Sequence, residues 1–163
     1  MASGGVVDAR AQRWLAQVVQ LATDNVADGG GPFAAAVVRD DRVVATGVNR
    51  VTRDLDPTAH AEVVAIRSAA RSLDTHVLAG TTLVSSCEPC PLCLSAALWA
   101  RVDAVVYAAD RDDAAHGGFD DRAFYELFDR PRDIWPVPVR QVEVDEATAP
   151  FAAWLAKADR VEY

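Results

Sequence analysis

Two short stretches carry most of the side chains able to do chemistry: His60-Ala61-Glu62 and Pro89-Cys90-Pro91-Leu92-Cys93. All three cysteines of the chain, Cys87, Cys90 and Cys93, fall within the second stretch and its flank. Disulfides that staple a secreted scaffold would be spread along the chain, whereas a tight cluster points to metal or redox chemistry. Cys90 and Cys93 are spaced so that a first helical turn presents both sulfurs on one side. A helix N-terminus also favours the thiolate form that binds metal. With an imidazole from a neighbouring helix, the donor set becomes two thiolates and one neutral nitrogen. That set balances a divalent ion and leaves one tetrahedral corner open, where water becomes a nucleophile near neutral pH. The donor types favour zinc. Glu62 is then the natural proton carrier. Positions i and i+2 of a helix point roughly 200° apart, so His60 and Glu62 can share one site only if His60 sits at an irregular lead-in. Asp56-Pro57-Thr58 supplies one.

The elements that must position these residues follow from periodicity. Val7 to Val26 reads as a helix, with Trp14, Val18 and Leu21 on an apolar stripe flanked by Leu15, Val19 and Ala22. Asp28-Gly29-Gly30-Gly31-Pro32 ends it. Phe33 to Val38 is a small apolar run suited to a strand covered on both faces. The polar turn Arg39 to Arg42 and the run Val43 to Val48 make an antiparallel hairpin. After the polar loop Asn49 to Pro57, a helix is predicted over Ala59 to Leu73. Thr81 to Ser85 reads as a strand, Pro91 to Ala100 as a helix with proline at its first position, and Ala104 to Ala108 as a strand. Strand, short helix, strand is a crossover unit, so those two strands should be parallel neighbours. Asp120 to Asp129 and Pro150 to Ala158 read as helices. Val137 to Val144 is expected as an edge strand, where Pro138 is tolerated. The sum is a single α/β domain over residues 1–163, a three-layer α/β/α sandwich around a mixed, mostly parallel five-stranded sheet.

The chain has 163 residues, 51% of them hydrophobic, enough for one domain with a sizeable core. No apolar run approaches the ~20 residues of a membrane span. The N-terminus lacks the basic and apolar segments of a secretory signal, so a cytoplasmic location is expected. Sixteen Lys plus Arg against twenty-four Asp plus Glu gives a net charge of −8, and Lys157 is the only lysine. That balance suits a small neutral ligand and disfavours a nucleic-acid partner, whose phosphates call for a basic patch.

His-x-Glu followed downstream by Pro-Cys-x-x-Cys is the signature of the zinc nucleobase deaminases. The chain resembles the cytidine/deoxycytidylate deaminase superfamily over nearly its whole length, and within it most resembles the bacterial guanine deaminases. The stretches that carry the resemblance are Gly31-Pro32-Phe33-Ala34-Ala35, Asp56 to Glu62, Ser86 to Cys93, Gly118-Phe119-Asp120-Asp121, Pro150-Phe151 and the terminal Glu162-Tyr163. The resemblance implies that His60, Cys90 and Cys93 hold one Zn²⁺ per subunit and that Glu62 shuttles the proton. It implies that Asn49 hydrogen-bonds the purine, that Phe33 and Ala61 line the base, and that Asp121 faces the ring and takes part in catalysis. Tyr163 would close the site, in a homodimer whose C-terminal segments are exchanged. The implied reaction is hydrolytic attack at C2 of guanine, giving xanthine and ammonia. The same zinc set serves guanosine, cytosine, triazine and tRNA-adenosine deaminases, so these stand as alternatives. The last is disfavoured because Phe151 to Tyr163 carries only Lys157 and Arg160 as bases.

Plainer readings compete at each position. Cys87, Cys90, Cys93 and His60 would make a closed structural zinc site, as in a non-catalytic, zinc-stabilised binding module, but that leaves Glu62 without a purpose. Otherwise Cys87 packs at a strand end as a small apolar residue. Asn49 is also a suitable loop cap, Phe33 a core residue, and Tyr163 a free tail. Asp120 and Asp121 compete to cap the helix that follows them.

Overall fold

The computed structural model describes residues 4–162. It divides into two compact units, Met1–Tyr125 and Glu126–Tyr163.

In the first unit, helix α1 (Gly4–Ala27) leads into strands β1 (Ala34–Arg39) and β2 (Arg42–Val48). A one-turn helix α2 (Val51–Asp54) precedes α3 (Ala61–Ser72). Then come β3 (Thr82–Cys87), α4 (Pro91–Trp99), β4 (Ala104–Ala109), α5 (Arg111–His116) and α6 (Arg122–Phe128), whose last residues belong to the second unit. The sheet order is β2-β1-β3-β4. β1 pairs antiparallel with both β2 and β3, and β3 pairs parallel with β4. The hairpin and the parallel crossover pair are as the sequence predicts.

β1 shows why the sandwich has helices on both faces. Side chains alternate across a strand. Ala35 and Val37 join Ala45, Ala61, Ala65, Ala69, Leu83 and Ala97 in a core beneath α3 and α4. Ala34, Ala36 and Val38 join Val18, Ala22 and Val84 in a core beneath α1. The small residues let α3 lie close to the sheet. The closest approach is at Gly47 of β2, where a Cβ would overlap the Ala61 carbonyl and sit 2.5 Å from the Ala65 nitrogen.

The expectation of a mostly parallel, five-stranded sheet is corrected: four strands form among the described residues, and two of their three pairings are antiparallel. The expected fifth strand, Val137 to Val144, forms no ladder. Pro136 and Pro138 remove two backbone donors, and the apolar residues Val137, Val139, Val142 and Val144 are exposed and gain nothing from a buried face. Short helix α2 occupies part of the expected polar loop Asn49 to Pro57, and a second short helix, α5, follows β4. α5 is held by a capping box between Asp110 and Asp113.

The second unit contains a 3₁₀ turn (Arg132–Ile134) and helix α7 (Ala149–Ala156). The ring of Phe128 meets Trp135 edge-on at 5.4 Å, and the Trp135 indole donates to the Arg130 carbonyl. Among the described residues, no helix is long and apolar enough to cross a membrane.

Candidate functional site

His60 and Cys90 occupy equivalent places. Each is the residue just before a helix, α3 and α4 respectively, and each has extended backbone (φ −65°, ψ 151° and φ −63°, ψ 168°). This is the irregular lead-in that the His60/Glu62 spacing requires. Pro91 at the first position of α4 fixes the second lead-in. The two helix N-termini converge, so Nδ1 of His60 lies 3.5 Å from the sulfur of Cys90 and 3.5 Å from that of Cys93. The two sulfurs are 3.6 Å apart.

These separations test whether the residues fit zinc. Tetrahedral bonds of about 2.3 Å to sulfur and 2.0–2.1 Å to nitrogen imply edges of about 3.8 Å for S–S and 3.6 Å for S–N. The observed edges match to about 0.2 Å, and the three donor atoms form the only such His/Cys/Asp/Glu cluster among the described residues. The Cys93 thiol and then the His60 ring pull Cys90 down to about 4, while hydrogen bonding to Cys90 and burial push Cys93 up. The N-termini of α3 and α4 behind the cluster favour the thiolate form at these sulfurs.

Glu62, in the first turn of α3, is 5% exposed. Its Oε1 accepts a hydrogen bond from Oγ of the buried Ser85 at 2.9 Å, and its Oε2 accepts from the Cys93 sulfur at 3.3 Å. Burial raises its carboxyl above the ordinary range. A carboxyl held beside a metal-donor cluster in this way can accept a proton and return it.

The remaining expected residues lie on the segments around this cluster. Asn49 follows β2; its amide nitrogen bonds the Phe33 carbonyl at 2.9 Å, and its Oδ1 accepts from the Val51 amide at 3.3 Å. The capping reading of Asn49 thus accounts for its oxygen. Phe33 is partly buried against the core and meets Phe119 edge-on at 5.0 Å. Ala61 is fully buried, and only its backbone can face a ligand; amides of a first helical turn lack intrahelical acceptors. Asp120 takes the structural role, with both carboxylate oxygens paired to Arg122 and one also accepting the Arg122 amide. No other side chain bonds the Asp121 carboxylate among the described residues. Asp121 lies within electrostatic reach of Cys90 and His60, and burial followed by Cys90 raises it. Tyr163 lies outside the described residues. Cys87 stands apart from the cluster: buried at the end of β3, it donates to the Asp110 carbonyl at 3.5 Å, and burial pushes its thiol up to about 11.

The profile of the cytidine and deoxycytidylate deaminase zinc-binding region matches residues 8–109. The chain belongs to the cytidine and deoxycytidylate deaminase family. A guanine deaminase of Bacillus subtilis is 46% identical over 93% of this chain and 98% of its own, and its crystal structure superposes with a TM-score of 0.90. A structure solved with 2,6-diaminopurine is 40% identical over 68% of this chain and 62% of its own, with a TM-score of 0.65. A tRNA-specific adenosine deaminase of Aquifex aeolicus is 35% identical over 79% of this chain and 83% of its own.

Within this deaminase family site, residue-type reasoning passes over Ser85, Phe119 and Asn25. Ser85 and Ser86 are two buried hydroxyls in a strand covered on both faces, which is itself a signal because buried polar groups need partners. Ser86 supplies one by accepting the Ala34 amide. Asn25 extends the buried stripe of Val18 and Ala22, and its Nδ2 donates to the carbonyls of Gly31 (2.8 Å) and Asn49 (3.0 Å), tying together two segments of the site.

Proposed function

We propose that the chain hydrolyses guanine to xanthine and ammonia. The reading is carried by the buried carboxylate of Glu62 beside a three-donor metal cluster. The 46% identity to a guanine deaminase over nearly both full lengths supports the substrate. His60, Cys90 and Cys93 would hold one zinc ion per subunit. When bound, zinc supplies Lewis-acid activation of water near neutral pH.

The chain's own residues do the rest. Glu62 accepts a proton from the attacking water and hands it to the amino nitrogen of C2 as the C2–N bond breaks, so ammonia leaves and the C2 oxygen remains. Ser85 holds Oε1, which leaves Oε2 directed at the cluster. Asp121 faces the ring from the opposite segment and assists the same proton movement. The Asn49 side-chain amide and the backbone of Ala61 bind purine edges, and Phe33 stacks as a wall, braced by Phe119. Rigid placement of these groups by strand ends and helix starts supplies the orientation that hydrolysis needs.

Ammonia release measured with guanine, guanosine, cytosine, adenine and adenosine is expected to give the highest kcat/KM for guanine. Absence of turnover with all five overturns the reading. The net charge of −8 favours a free base over an RNA substrate.

The functional unit in this reading is a cytoplasmic homodimer, each C-terminal segment completing the partner's site through Tyr163. Exposed Val142, Phe151 and Leu155 in the second unit support it, since such apolar residues gain from a covering surface. Mixing two inactive variants, Glu62→Gln and a chain lacking Tyr163, should restore activity, because one of the two mixed sites regains both groups. A mixture that stays inactive after subunit exchange places Tyr163 in its own chain's site.

A further inference from the structure

The segment between β4 and the middle of α6 is gripped at both ends by the two residues that lead into Cys90. At its start, the Arg111 backbone amide and Nε both donate to Oε2 of Glu88, at 3.1 and 3.0 Å, and Nη2 pairs with Oε1. At its end, the Tyr125 hydroxyl donates to the Pro89 carbonyl at 2.7 Å. The two grips touch, because the Arg111 guanidinium lies 3.8 Å from the centre of the Tyr125 ring. Residues 111–125 therefore form a closed arc buckled onto Glu88-Pro89. Glu88 has a side chain only 12% exposed, which makes this pair less screened than an ordinary surface ion pair. Inside the arc, Arg122 ties Asp120 to Asp112, and Phe119 abuts Phe33. Asp121 lies on this arc, and among the described residues no other side chain hydrogen-bonds its carboxylate.

We propose that Arg111 and Tyr125 are positioning residues, a buckle that holds the Asp121 carboxylate toward the loop bearing Cys90. The arginine is suited to this by geometry: its planar fork engages Glu88 with several donors while its face stacks on tyrosine, which lysine cannot do. The inference rests on Asp121 acting in the proposed reaction.

The test uses the zinc-loaded protein in four forms: wild type, Tyr125→Phe, Asp121→Asn and the double variant. Tyr125→Phe keeps the ring and removes one hydroxyl. It is expected to lower kcat on guanine about ten-fold with KM within about two-fold, the mark of disturbed orientation rather than lost binding. In the Asp121→Asn background the same change should add nothing, because its effect runs through Asp121. Amide hydrogen exchange across residues 119–124 should quicken in Tyr125→Phe, and Arg111→Lys should behave in the same way. A kcat within about two-fold of wild type, a loss that multiplies in full with Asp121→Asn, or unchanged exchange overturns the buckle. If wild type turns over no guanine, the proposed function fails separately, and the exchange measurement alone decides the buckle.

Discussion

Glu62 and Asp121 are two carboxylates within electrostatic reach of one cluster, in contrasting surroundings. Glu62 stands in the first turn of a helix seated on the sheet, sealed from water, and braced by a serine of the central sheet. Asp121 is half-buried on an arc outside the sheet, which is held by one ion pair, one hydroxyl and one stacked ring. Burial raises both carboxyls. The difference lies in what keeps each in place: for Glu62 it is the hydrophobic core and the strand ladder, for Asp121 a handful of polar contacts. A group placed by the core does one thing with fixed geometry, whereas one placed by an arc can be adjusted without disturbing the fold.

The contrast is open to attack in order of expected effect. Glu62→Gln should lower kcat by about 10³-fold or more, with zinc content by elemental analysis unchanged. Substantial residual activity would remove Glu62 as the proton carrier. Asp121→Asn should cost less, about 10²-fold, with little change in Tm; a loss as deep as that at Glu62 would erase the distinction. Ser85→Ala strips the buried Oε1 of its donor. It should lower stability by about 1–3 kcal/mol, seen as a lower Tm, and reduce kcat, while Ser85→Thr retains most of both. Cys87→Ser should be the mildest, with zinc content and kcat within about two-fold of wild type. Loss of zinc there would revive the closed four-ligand site.

Most of the metal cluster was legible in the sequence because its geometry is local. The Cys90/Cys93 spacing and Pro91 fix one helix start. The conflict between His60 and Glu62 on a regular helix could be resolved only by an extended His60, and the structure has one. The hairpin and the parallel crossover were legible for a similar reason, since short connections leave few options. The rest depended on long-range partners. Whether Asp120 or Asp121 caps α6 turns on Arg122 choosing Asp120. The buckle joins residues 88–89 to 111 and 125, and no periodicity links those positions. The fifth strand was not legible because a valine-rich stretch reads as a strand whether or not a neighbour exists to pair with it, while Pro136 and Pro138 remove donors a ladder would need.

Gly47 touches no expected ligand, and it holds no hydrogen-bonding side chain, so a survey of chemical groups would ignore it. Its missing methyl is nevertheless what lets the first turn of α3 rest directly on β2. Even alanine there would push against the carbonyl of Ala61, the residue wedged between His60 and Glu62, and shift both of those side chains together. The hydrogen atom at this position of β2 is thus among the tightest tolerances around the cluster, and mutational scans should find position 47 as intolerant as His60, Cys90 and Cys93.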